Sequence, residues 1–450
     1  MSGPTGKAVP VPGVDGAPSM MERFLSNEAA GGIVLAAVTL VSMLIANSPL
    51  GEAFAEVWKI EAGFVIGSLV FEQSLLHWVD DALMALFFFV IGLEIKREFI
   101  VGELSTWRGA ALPVFAALGG MIVPALIYTA FNTGTVDAAG WGVPMATDIA
   151  FALGVLAILG SRVPAGLKVF LSALAIADDL GAILVIALFY TTDIQADWLL
   201  FALVPIAALV LLNRLRVDEP MMYLAAGSVL WFAVLNSGVH ATIAGVVAAM
   251  AVPGAARLSP TQFTSVCRLT LDEIEACDEP GAHTLKDHRQ QHLALGLARA
   301  AEYSAAPLQR LEFALLPFTT FVVLPLFALA NAGVRVVGGS DVDVISPLFA
   351  GVIGGLVFGK PLGITLASFI AVRAGWARLP AGVSWRHIVG AGMLGGIGFT
   401  MSMFVANLAF GAGAHSDDSK VAILTASILA GMAGYLWLRA TPAPVAQSQE

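Results

Sequence analysis

The sequence predicts an all-α polytopic membrane protein, and three observations carry that prediction. Of its 450 residues, 58% are apolar and 12% charged, with a mean hydropathy of +0.84, a balance foreign to water-soluble domains. Apolar runs punctuated by Gly, Pro and charge recur at about twelve places, centred near residues 38, 89, 120, 151, 179, 204, 229, 246, 324, 358, 400 and 429. If these runs cross a bilayer in turn, nineteen Lys and Arg fall in loops on one side. Only Lys59, Arg335 and Lys420 fall on the other, and Lys360 stays inside a span. Such asymmetry marks alternate loops on opposite faces of a membrane and predicts that both termini are cytoplasmic. The net charge of -10 argues against a nucleic-acid partner.

Taken in order, residues 1–28 are Gly/Pro-rich and polar. They read as a disordered cytoplasmic tail, because no small-residue cleavage signature follows the first apolar run. Residues 29–253 hold the first eight spans. Within them, 50–79 is too polar to span, and "FVIGSLVFE" predicts an outer hairpin turning at Gly67 and Ser68. Residues 254–311 read as a cytoplasmic loop with two amphipathic helices. One opens at "SPTQFTSV", with Ser259 as cap and Pro260 in the first turn, and the other covers about 285–303. Cys267, Cys277, His283, His288 and His292 all sit in this loop. Their spacing fits no zinc pattern, and a solvated helix face accounts for the histidines. Two cysteines in a polar segment predict no disulfide framework. Residues 312–440 hold the last four spans, and 441–450 form a cytoplasmic tail.

The chemistry concentrates in four stretches. "LAIADDLGAILVI", residues 174–186, places Asp178 and Asp179 in the middle of a run long enough to span a bilayer. Each ionisable group there costs roughly 2.5–3.5 kcal/mol on the insertion scale, so it faces the protein interior or a wet cavity. Neighbours on a helix point about 100° apart, so the two aspartates cannot share one partner symmetrically. One is free to bind a ligand while the other faces a counter-charge. "GWGVPMATDIAFALG" puts Thr147 and Asp148 after Pro144, where a broken helix would leave backbone groups lining a cavity. "GVIGGLVFGKPLGI" sets Lys360 among Gly351, Gly355, Gly359 and Gly363, a spacing that lets another helix approach closely. It also satisfies G-x-x-x-x-G-K, but Pro361 stands where Ser or Thr must hold magnesium, which excludes a nucleotide site. "GMLGGIGFTMSMF" supplies a second Gly-interrupted span, and paired interrupted helices point to a transport site at the midplane.

At these residues the chain resembles the NhaA-type sodium/proton antiporters. The resemblance rests on "DDALMALFFFVIGLEIKRE", "GGMIVPALIY", "PMATDIAFALGVLAILGSRVP", "LAIADDLGAI", "SGVHATIAG", "LPLFALANAGV", "GKPLGI" and "GGIGFTMSMF", in one order across most of residues 25–440. It implies an inverted-repeat fold in which two interrupted helices cross, a known property of that family. It also implies electrogenic, pH-regulated export of Na+, with Li+ as a further candidate, in exchange for H+. The setting would be the inner membrane of a bacterium, with no cofactor and no catalysed reaction. By resemblance, Asp178 and Asp179 bind the cation and proton, Asp179 as principal ligand, with Asp178 pairing with Lys360 in some states. Thr147 and Asp148 fall at the helix crossing, where Asp148 offsets half-helix N-termini and Lys360 the C-terminal ends. Glu94, Glu98, His240 and Glu312 fall in the pH-response region at the cytoplasmic side, and Asp81 matches a further buried acid. The outer hairpin implies a homodimer. Phe313 and Leu316 replace histidines of better-known members, and the 254–311 loop is longer than usual.

Two other classes compete with this reading. An intramembrane aspartyl protease would join Asp148 to Asp178 or Asp179, but it leaves Lys360 unexplained and lacks the Tyr-Asp and Gly-x-Gly-Asp motifs. A cation channel would couple sodium to no proton.

Overall fold

The computed structural model describes residues 28–66, 69–191, 194–276, 288–335, 343–411 and 413–442. Gly67, Ser68, Cys277, His283 and both terminal tails lie outside the described residues. Helices dominate, and each of the twelve apolar centres falls on one. The first is α1 (Glu28–Ala46), bent by 112° from α2 (Gly51–Lys59). Strands β1 (Glu61–Ile66) and β2 (Leu69–Ser74) then pair antiparallel, with Phe64 opposite Phe71. Helix α3 runs over 75–101 and contains a π-turn at Trp78–Leu83. It is followed by α4 (Trp107–Asn132). A 3-10 segment, Val136–Met145, leads into α5 (Ile149–Leu159), and next come α6 (Ala165–Phe189), α7 (Ala196–Arg214), α8 (Pro220–Leu235) and α9 (Thr242–Ala251).

The loop helices are α10 (Pro260–Ala276) and α11 (His288–Ser304). Arg257 and Leu258 each donate a backbone N–H to the Tyr303 carbonyl at 3.0 Å, and the Arg257 guanidinium lies 5.2 Å from the Tyr303 ring. The remaining spans are α12 (Pro307–Asn331) and α13 (Pro347–Arg373), both with π-turns, the bent pair α14 (Trp385–Gly395) and α15 (Phe399–Phe410), and α16 (Ala414–Ala440). Proline occupies the first turn of α8, α12 and α13, where its missing N–H costs nothing.

Among the described residues, seven helices are long and apolar enough to cross a membrane, nine if each of two bent pairs is one span. The other apolar centres fall short for identifiable reasons. Helix α3 carries Glu94, Lys96, Arg97 and Glu98 in its last turns. Helices α8 and α9, of 16 and 10 residues, reach only about 24 and 15 Å against the ~30 Å of hydrocarbon. The expected count of twelve is therefore not reached by length and composition alone.

Two apolar clusters form the interior. The larger joins α4, α5, α6, α13, α14, α15 and α16, while the smaller joins α7, α8, α9 and the start of α12. Helix α3 contributes to both, with Phe88 in the first and Phe89 in the second. Glycine decides how closely the larger cluster packs: a Cβ on Gly363 would lie 2.1 Å from the Gly119 carbonyl oxygen, so α4 and α13 touch backbone to backbone. Chain direction gives the bundle a hairpin end and an opposite, basic end carrying Lys96, Arg97, Arg162, Lys168 and Arg214.

Candidate functional site

The two interrupted spans cross where α5 and α15 begin. The Asp148 N–H donates to the Ile397 carbonyl at 2.6 Å, joining the two breaks directly. The Asp148 carboxylate lies between two helix N-termini, whose first N–H groups have no partner within their own helix. Its Oδ1 accepts from Phe151 N at 3.1 Å, and its Oδ2 from Thr400 N at 3.1 Å and Thr400 Oγ1 at 2.5 Å. One negative charge thus caps two positive helix ends. Sequence reasoning named Asp148 but passed over Thr400, although it lies in the quoted "GFTMSMF" run. Ser402 adds a further tie, donating to the Val143 carbonyl at 2.8 Å.

Beside the crossing lies α6 with its two aspartates, 1% and 2% exposed. They are divided as the 100° rotation requires. Asp178 Oδ2 forms an ion pair with the Lys360 ammonium and accepts from Thr147 Oγ1 at 2.7 Å. Lys360, fully buried, also donates to Thr147 Oγ1 at 2.9 Å. The Thr147 hydroxyl has one proton for two acceptors, Asp178 and the Gly395 carbonyl at 2.9 Å. It therefore ties the lysine–aspartate pair to the C-terminal end of α14. The Lys360 ammonium, paired with Asp178, thus stands beside that C-terminal end with the Thr147 hydroxyl between it and the carbonyl. Among the described residues, the Asp179 carboxylate has no hydrogen bond or ion pair, and Asp178 Oδ1 is buried without a partner.

A polar cavity of about 570 Å³ opens at the basic end, lined by Glu98, Glu103, Thr106, Lys168 and Ser172 among others. Lys168, Ser172 and Asp179 share one stripe of α6, and Ser172 precedes Asp179 by two turns, about 10 Å along the axis. A larger cavity, about 950 Å³, lies elsewhere, between α3, α7 and α8, and is lined by Phe89, Trp198, Phe201 and Trp231 among others. It contains none of the crossing's carboxylates, so its size says nothing about ion chemistry.

The residues expected to respond to pH do not form one group. Glu94, Glu98 and Glu312 gather around Arg97, which lies 3.9 Å from Glu94 and 3.6 Å from Glu98 and bonds Glu312. His240 corrects the expectation. It sits at the opposite, hairpin end, in the turn between α8 and α9 and against Tyr190. The alternation of spans already puts the connection between the centres near 229 and 246 on the side of Lys59 and Arg335, opposite Glu94 and Glu98, so the cytoplasmic placement that the resemblance implied for His240 does not hold. Asp81 accepts from Trp231 Nε1 through its backbone carbonyl at 3.2 Å, and it is the adjacent Asp80 whose carboxylate is engaged. No group of three or more His, Cys, Asp or Glu suited to a metal ion occurs among the described residues. Cys267 is a free thiol.

Comparison with known proteins identifies the family. The family model for Na+/H+ antiporter 1 matches residues 22–438. A protein of Oleidesulfovibrio alaskensis named Na(+)/H(+) antiporter NhaA is 47% identical over 434 residues, 96% of each chain. Proteins of the same name from Helicobacter pylori strain P12 and Wolinella succinogenes are 49% and 44% identical. They cover 93% and 95% of this chain, and 94% of their own length in each case. A family match of this extent, with relatives aligned nearly end to end, establishes that the chain belongs to the NhaA-type Na+/H+ antiporter family.

Proposed function

We propose that this multi-pass membrane protein exports sodium in exchange for protons by alternating access, with Asp179 as the principal cation and proton carrier. One observation carries the reading: of two adjacent buried aspartates, one is neutralised by Lys360 while the other has no partner among the described residues. A carboxylate must lose its proton to hold a metal cation, so sodium and protons compete for it. Competition and access from each side in turn are sufficient for exchange. The unbonded Oδ1 of Asp178 supports a role as second ligand. Release of Lys360 from Asp178 would accompany loading, with Thr147 as the hinge of that exchange and Asp148 holding the crossing together.

The basic end faces the cytoplasm of a bacterium across its inner membrane, with both termini on that side, because Lys and Arg concentrate there. Lithium is a second substrate, the exchange moves net charge, and no cofactor takes part. Arg97 with Glu94, Glu98 and Glu312 forms the pH-responsive group beside the cytoplasmic cavity. The two-stranded sheet supports a homodimer, since edges left unpaired in one chain accept strands from a second.

Sodium-triggered proton movement in sealed proteoliposomes tests the exchange. Asp179→Asn should abolish it while the protein still inserts, because an amide cannot carry the exchanged proton, and Asp178→Asn should impair it severely. Undiminished flux in a well-expressed Asp179→Asn variant would falsify the assignment.

A further inference from the structure

The two ends of the crossing are not alike. At the basic end a polar cavity reaches the α6 stripe that leads to Asp179. At the hairpin end, α15 is sealed, with Thr400, Met403 and Ala406 each at most 1% exposed. Above that sealed turn, side chains of three spans meet. Asp80 stands in the π-turn of α3. Its Oδ1 accepts from Asn331 Nδ2 at 2.8 Å and its Oδ2 from Asn407 Nδ2 at 3.3 Å. Asn407 Nδ2 also donates to Asn331 Oδ1 at 2.6 Å, and Asn331 Nδ2 donates to the Phe327 carbonyl at 3.2 Å.

The members of this network belong to different parts of the bundle. Asn407 is on α15, two turns beyond Thr400 and on the same helix face, so it is tied to the half-helix that Asp148 caps. That half-helix packs chiefly on the 3-10 segment Val136–Met145 and on α16, and only lightly on α12. Asp80 and Asn331 end α3 and α12 at this face. The bridge is therefore a main polar tie between α15 and the α3–α12 side. Its chemistry suits a reversible contact. The Asp80 carboxylate accepts from two neutral amides, with Lys420 and His77 as the charged groups that act on it; in a dry setting these contacts are costly to separate, yet once water enters the same groups are solvated and the net cost is small.

We propose that Asp80, Asn331 and Asn407 form a polar latch that holds the hairpin end of the crossing shut in this conformation, and that its release opens the site to that side. The proposal rests on the alternating-access reading, but it predicts an accessibility change that needs no assumption about which ions move. Asp80 is a positioning residue here and touches no transported ion.

The test uses the full chain with Cys267→Ser and Cys277→Ser, reconstituted in oriented vesicles and probed with a membrane-impermeant thiol reagent. Met403→Cys reports from beneath the latch, and Ser172→Cys reports from the basic-end cavity. With the latch intact, Ser172→Cys should react from the basic side and Met403→Cys should not react from the hairpin side. Adding Asp80→Ala, or in a second pair Asn407→Ser, should raise Met403→Cys labelling at least fivefold and lower Ser172→Cys labelling. Reciprocal change is the signature of a population shift between two closed-on-one-side states. Unchanged labelling would overturn the latch, and so would a rise at both positions, which is what mere loosening or misfolding produces. Sodium-driven proton flux in the same vesicles judges the antiport reading separately: reciprocal labelling without coupled flux would refute exchange and leave the latch standing.

Discussion

At the residue scale, the site is an arrangement of buried charges in which Asp178 pairs with Lys360 and Asp148 caps two helix N-termini, while Asp179 has no partner among the described residues. Removing one side of the Asp178–Lys360 pair strands the other in a dry interior, at a cost of about 3–5 kcal/mol. Lys360→Met alone should therefore lower the thermal midpoint in detergent markedly. The double variant Asp178→Asn with Lys360→Met should recover most of that loss, since an amide beside an apolar chain leaves no buried charge. Strictly additive losses would show that the two groups are not coupled as their ion pair implies. Thr400→Val gives a smaller effect of the same kind. It removes one charge-assisted bond to Asp148, about 1.5–3 kcal/mol, while leaving the backbone bond from Thr400 N. Its loss of stability should vanish in an Asp148→Asn background if the hydroxyl acts through that carboxylate.

At the element scale, Lys360 reaches Asp178 because α13 lies against α4. Cβ atoms on Gly119 and Gly363 would meet the opposing backbone at 2.2 and 2.1 Å, which no side-chain rearrangement relieves. Gly363→Ala should push the two helices apart, destabilise the protein and reduce sodium affinity by displacing Lys360. Isothermal titration with sodium checks this, and unchanged affinity in a stable variant would separate the helix contact from the site. The loop makes the opposite prediction. Helices α10 and α11 contribute none of the proposed ligands, so a Gly/Ser linker in place of residues 262–300 should leave sodium binding and transport intact. That replacement spares Tyr303, whose carbonyl and ring hold Arg257 and Leu258 at the end of the preceding span. Loss of sodium binding in a monodisperse deletion variant would place part of the site in the loop.

At the scale of the whole molecule, exchange requires that sodium and protons be alternatives at one site. If so, lowering the pH through the titration of the aspartates adds the proton that sodium must displace, and the apparent sodium constant rises. The rise should be about tenfold per pH unit for each proton displaced, because one unit is 1.36 kcal/mol of differential binding. Saturating sodium should then restore most of the rate. A separate protonation switch would instead lower the maximum rate at constant half-saturation. With Phe313 and Leu316 exposed and unable to titrate, competition is expected to dominate here. Sodium titrations in proteoliposomes at several symmetric pH values discriminate the two outcomes.

Much of this molecule is written in local sequence. Most spans follow from apolar length, and the loop helices from capping and periodicity. The special status of Asp178, Asp179 and Lys360 follows from the cost of placing charge within a span. What those charges meet is a different matter. That Asp178 and not Asp179 takes Lys360 depends on how α6 is rotated against α13. That Asp148 serves Thr400, 252 residues away in the chain, depends on the crossing of two breaks. The engagement of Asp80 where the sequence drew attention to Asp81 follows from a π-turn that rotates neighbouring side chains, whereas the end at which His240 lies was already given by the alternation of spans. Hydrophobic length and buried charge act locally, so a linear sequence displays them. Pairing is set by the relative rotation and approach of helices distant in the chain, and only the packed structure fixes it.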